Sequence, residues 1–148
     1  MIAVGIWSVQ LGGRATWLLP IVFPVVMAMG GAIGQMGLHI SGIEVGIASS
    51  ALVLGALIGT DRRLRLSAAA LLVAVFAVFH GYAHGSELPS DQSGLLYSVG
   101  FVIATVSLHG LGIGLGLCAR VPKGKIALRF ASAAISIMGA VFLLDALR

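Results

Sequence analysis

The stretch Leu66-Ser67-Ala68-Ala69-Ala70-Leu71-Leu72-Val73-Ala74-Val75-Phe76-Ala77-Val78-Phe79-His80-Gly81-Tyr82-Ala83-His84-Gly85-Ser86-Glu87 decides the fold class. It carries no charged residue before Glu87. About twenty such residues, coiled as a helix, cross the ~30 Å hydrocarbon core of a bilayer. The run closes on two imidazoles and a carboxylate, so these groups lie in or near the membrane. Polar groups at that depth are costly and mark function by default. Their spacing adds to the case. His80 and His84 are i and i+4, His84 and Glu87 are i and i+3, and on a helix all three fall along one face. Two imidazoles and a carboxylate on one stripe are suitable ligands for a divalent transition metal.

Working outward, the whole chain reads as a membrane protein. Of its 148 residues 59% are hydrophobic and 9% charged, with a mean hydropathy of +1.09; a soluble domain carries about a quarter charged residues. The length suits one transmembrane domain over residues 1–148. The net charge of +4 comes from position. Arg62, Arg63 and Arg65 form one cluster; Arg120, Lys123, Lys125 and Arg129 form another. Both flank apolar runs, as the positive-inside rule requires. No basic face with interleaved aromatics exists, which excludes a nucleic-acid partner. Cys118 is the sole cysteine, so no intrachain disulfide forms; it reads as a packing residue.

Full spans are predicted over Thr16–Gly37, Ile43–Thr60, Leu66 to about Glu87, Gly94–Leu117 and Ile126–Leu147, with a polar turn over 88–93. Pro20 and Pro24 predict a kink early in the first of these. Basic residues occupy alternate loops, which places those loops in the cytoplasm and the acidic loops outside. Met1 to Leu11 is apolar but gives only roughly 16 Å of helix. The expectation is therefore a polytopic all-α bundle of five full spans plus a short first helix, the chain beginning inside a transmembrane helix. Glycines in small-xxx-small pairs, Gly55/Gly59, Gly81/Gly85, Gly110/Gly114 and Gly112/Gly116, predict close helix approach. Gly110-Leu111-Gly112-Ile113-Gly114 lacks the spacing of a dinucleotide fingerprint.

A lone membrane histidine usually makes a helix-to-helix hydrogen bond; the stripe His80, His84, Glu87 favours metal contact instead. His109 lies roughly 22 Å into the next span and His80 roughly 10 Å in from the outer side, so the two histidines read as successive stations of a path. Glu44 opens the outer end of its span, where the helix dipole alone would also stabilise a carboxylate. His39 reads as solvated, Asp61 and Asp145 as interfacial charges. Met27 and Met29 point to different faces, against a paired thioether site.

Phe79-His80-Gly81-Tyr82-Ala83-His84-Gly85-Ser86-Glu87-Leu88-Pro89 resembles the central signature of the HupE/UreJ family of bacterial membrane proteins, associated with nickel-iron hydrogenase and urease gene clusters. Val4-Gly5-Ile6-Trp7, Leu11-Gly12-Gly13-Arg14 and Trp17-Leu18-Leu19-Pro20 are similar to the family's first spans. Val45-Gly46-Ile47-Ala48-Ser49-Ser50 follows Glu44, and Gly100-Phe101-Val102-Ile103-Ala104-Thr105 leads to His109, as in the family pattern. The resemblance implies a nickel (or cobalt) permease of the bacterial cytoplasmic membrane. It carries over His80, His84 and Glu87 as metal-contacting residues, with His109 and Glu44 as weaker members. A second family motif, His-x5-Asp-His in the first span, has no residues here, since Met1 falls just downstream of it. The N-terminal part of the family domain is thus expected to be missing.

The expected function is ligand exchange along a polar path. Hydrated Ni²⁺ (or Co²⁺) would meet Glu44 and Glu87, trade waters for His84 and His80, and move toward His109 for delivery to hydrogenase or urease maturation. No permanent cofactor and no ATP site is read; the partners are the ion and the lipid bilayer, with room for a homo-oligomer. An alternative is a non-transporting accessory that delivers or senses metal. A histidine-box metalloenzyme is disfavoured by four histidines in total, a metalloprotease by the lack of His-Glu-x-x-His, and haem ligation by His80 and His109 by their difference in depth. The chain is not expected to be an enzyme.

Overall fold

The computed structural model describes residues 1–88 and 94–148; the polar turn expected over 88–93 lies, apart from Leu88, outside them. Among the described residues the chain is helical with no strand: α1 (Ile2–Leu11), α2 (Ala15–Gln35), α3 (Ile43–Gly59), α4 (Leu66–Ser86), α5 (Gly94–Cys118) and α6 (Pro122–Ala146). An α-helix satisfies its own backbone hydrogen bonds, which lipid cannot do for it. Four helices, α2, α4, α5 and α6, are long and apolar enough to cross a membrane. α3 occupies the expected Ile43–Thr60 span but has 17 residues, about 26 Å at 1.5 Å per residue. α1 has 10.

The end of α3 has a local cause. Asp61 adopts φ 50°, the left-handed conformation that Asp tolerates better than most residues. Arg62 N–H then bonds the Leu57 carbonyl at 3.0 Å and Asp61 N–H the Ile58 carbonyl at 3.2 Å. These two bonds close the helix in a Schellman turn. α2 runs on through Pro20 and Pro24.

Three helix pairs build the bundle, and glycine sets each of them. In α2·α4, which run parallel, a Cβ on Gly30 would strike the backbone of Val78, one on Gly34 that of Tyr82, one on Gly81 that of Met27 and one on Gly85 that of Gly31. The Gly81/Gly85 pair therefore presses α4 directly onto α2. In α1·α5, also parallel, Gly5 abuts the His109 carbonyl, Gly112 that of Ile2, and Gly116 the Val9 side chain. In the antiparallel pair α3·α6, Gly55 and Gly59 meet Ser132 and Ser136, and Gly139 meets Leu52. The exception is Gly110/Gly114, beside which nothing lies within 4 Å. That pair faces outward, because Gly112 and Gly116 take the α1 side of the helix.

The short α1 lies at the centre. Val4 and Trp7 are fully buried and pack with Leu19, Phe23, Leu54, Ile58 and Val73. Trp7 Nε1–H donates to the Arg62 carbonyl at 3.1 Å, and Gln10 Nε2–H to that of Ile58 at 3.1 Å. Large apolar side chains such as Ile21, Phe130 and Phe142 remain exposed on the outside, as in a protein whose solvent is lipid. Cys118 is exposed rather than packed. Met27 is fully buried and Met29 exposed, on different faces as their spacing requires.

Candidate metal centre

His80 sits in the C-terminal half of α4, where the α2 contact is closest. Its Nδ1 lies 2.9 Å from the Phe76 carbonyl, one turn back. His109, on α5, is 2% exposed, and its Nδ1 lies 2.7 Å from the Thr105 carbonyl, again one turn back. A carbonyl oxygen only accepts, so each Nδ1 carries the proton. In the neutral ring this leaves Nε2 with its lone pair, the arrangement by which a metal-ligating imidazole is usually oriented. Among the described residues, His109 Nε2 is buried and has no hydrogen-bond partner. Buried polar atoms are nearly always paired, so this lone pair stands out in the apolar bundle.

Both rings meet Phe23 of α2. The Phe23 ring centroid is 5.6 Å from that of His80, edge to face, and 5.2 Å from that of His109. The two imidazoles are thus separated by no more than the sum of those distances. Phe23 is 1% exposed and lies between Pro20 and Pro24. An aromatic in an apolar span carries no polar signal, so the sequence alone does not mark it. Thr105, fully buried, donates its hydroxyl to the Phe101 carbonyl at 2.8 Å.

The other candidates are distributed around this pair. His80 lines a cavity of about 850 Å³ together with Glu44 of α3 and Asp145 of α6. Asp145, read from sequence as an interfacial charge, therefore shares a space with two candidate metal-contacting residues. Glu44 itself is exposed, as is Glu87 at the C-cap of α4. His84 faces elsewhere. Its Nδ1 is 3.3 Å from the Tyr97 hydroxyl, its ring is 4.3 Å from that of Phe101, and it lines a separate cavity of about 130 Å³ with Gln35 and Tyr97. The i, i+4 spacing gave one stripe, but different neighbours meet its two ends. His80 meets α2 and the space beside α3 and α6, whereas His84 meets the start of α5. Among the described residues, no three His, Cys, Asp or Glu side chains come close enough to hold one ion. His39 is exposed.

The HupE / UreJ family model matches residues 1–142. Over 143 residues the chain is 40% identical to Protein HupE of Rhizobium leguminosarum bv. viciae, covering 97% of this chain and 75% of that protein. No solved structure matches. The chain belongs to the HupE/UreJ family.

Proposed function

We propose that this HupE/UreJ chain is a multi-pass permease of the bacterial cytoplasmic membrane. Its cargo is a divalent transition metal, Ni²⁺ or Co²⁺, supplied to nickel-enzyme maturation such as that of hydrogenase or urease. The observation that carries this reading is the pair of imidazoles on either contact of Phe23, each tied to a backbone carbonyl through Nδ1 and each keeping Nε2 for a ligand.

The path runs from carboxylates to imidazoles. A hydrated dication enters the cavity of Glu44, Asp145 and His80, where the two carboxylates favour its charge. Waters on the ion exchange for His80 Nε2, a nitrogen donor that nickel accepts well. Movement of the Phe23 ring then lets the ion reach His109 Nε2, now unpartnered. Separate stations suit transport, because a site enclosed by a full set of protein ligands would release its ion slowly. His84 and Glu87, outside that cavity, serve the outer approach. Selection among metals rests on geometry and supply, since copper binds most nitrogen and oxygen sites more tightly than nickel does.

The test is uptake of radioactive nickel by cells that express the chain and lack other nickel importers. Uptake above that of cells without the chain is the expected result. Metal binding by the purified protein with no uptake would assign the chain to the non-transporting accessory role instead.

A further inference from the structure

The cationic end of the bundle holds a cavity that the permease reading does not use. It measures about 390 Å³ and lies where the C-terminal ends of α1, α3 and α5 meet the start of α6. Arg63, Arg120, Lys125 and Arg129 line it, with Asp61 as the one carboxylate. Among the described residues none of these charges is engaged in an ion pair. The positive-inside rule accounts for cations at this end of the helices. It does not account for four of them, drawn from two segments distant in sequence, converging on one recess.

Two of the four are electrostatically misplaced. Lys125 and Arg129 are i and i+4 on α6, an arrangement of like charges that opposes the helix. Lys125 also stands in the first turn, where the helix dipole disfavours cations and no acidic residue offsets it. A bound anion would relieve both.

The surroundings select the source of the anion. Beside the pocket cations on α6, Ile126 is 57% and Phe130 76% exposed, and Val121 just before the helix is 57% exposed. An acyl chain can lie along these side chains while its headgroup reaches Lys125 and Arg129. At about 30 Å³ per water the cavity has room for roughly a dozen waters, hence for a glycerophosphate. We propose that this recess binds the headgroup of an anionic phospholipid, its phosphodiester toward the cations. Basic recesses between helices on the cytoplasmic side suit such headgroups. This inference is independent of the metal path.

The experiment is native mass spectrometry and thermal denaturation of the detergent-purified chain, with added phosphatidylglycerol, phosphatidylcholine or inorganic phosphate. Wild type should retain phosphatidylglycerol and melt several degrees higher with it than with phosphatidylcholine. R120Q/K125Q/R129Q should bind it at least about tenfold more weakly, while R62Q/R65Q, which removes two exposed charges outside the recess, should bind as wild type. If the triple variant does not fold, Lys125→Gln alone should still lower retention relative to Arg62→Gln. Equal losses in the pocket and control variants would reduce the effect to general surface charge and overturn the site. Equal stabilisation by inorganic phosphate, or no preference for phosphatidylglycerol, would overturn the lipid as its occupant.

Discussion

His109 donates its Nδ1 proton to the Thr105 carbonyl at 2.7 Å, and its Nε2 is buried with no hydrogen-bond partner among the described residues. The bond fixes the tautomer and leaves Nε2 with the ring's lone pair. His80 repeats the arrangement on α4 with Phe76, and Phe23 stands in contact with both rings.

The close approach of α4 to α2 positions His80, so substitutions at Gly81 should act on stability before chemistry. A Cβ at Gly81 would meet the Met27 carbonyl, whereas Gly114 has open space beside it. Gly81→Val should destabilise the bundle by about 2 kcal/mol through overpacking, with a lower melting temperature in detergent. Gly114→Val should melt as wild type. Equal melting temperatures for the two variants would contradict the α2·α4 packing.

Glu44 and Asp145 share the cavity of His80 and should act on capture of the ion rather than on its passage. A carboxylate acting on a dication across water contributes about 1 kcal/mol, or about fivefold in apparent affinity. Glu44→Gln and Asp145→Asn should each raise the nickel concentration for half-maximal uptake by about that factor and leave the rate at saturating nickel near wild type. An unchanged concentration dependence in both variants would remove the carboxylates from the path.

Basic residues in alternate loops predict an orientation that reporter fusions can read. Fusions after Arg63 and after Asp91 should report opposite sides of the membrane, the first cytoplasmic. The same side for both would contradict the assignment of α4 as a crossing helix.

Much of this was legible in the residues. The span expected from Leu66 to about Glu87 is α4, Leu66–Ser86, because length and lack of charge leave a membrane segment few alternatives. The Gly81/Gly85 contact was also legible, since only small residues let backbones meet. Gly110/Gly114 shows the limit: spacing shows that a face is small but not which face a neighbour takes. The same limit applies at His80 and His84. Their separation places them one turn apart on α4, yet the helices that surround each end send them to different cavities. Asp145 could not have been joined to Glu44 from sequence, since the packing of α6 on α3 brings them together. Phe23 had no signal of its own beyond the two prolines that flank it.

The most direct test of the central claim is nickel uptake by His109→Asn, compared with wild type at equal membrane levels. Asparagine keeps a side-chain N–H that can reach the Thr105 carbonyl but has nothing in place of Nε2. The account predicts an unchanged melting temperature and uptake reduced by about tenfold or more, the scale on which metal sites respond to loss of a supporting group. Wild-type uptake by this variant would contradict the account and leave His109 as a packing residue behind Phe23.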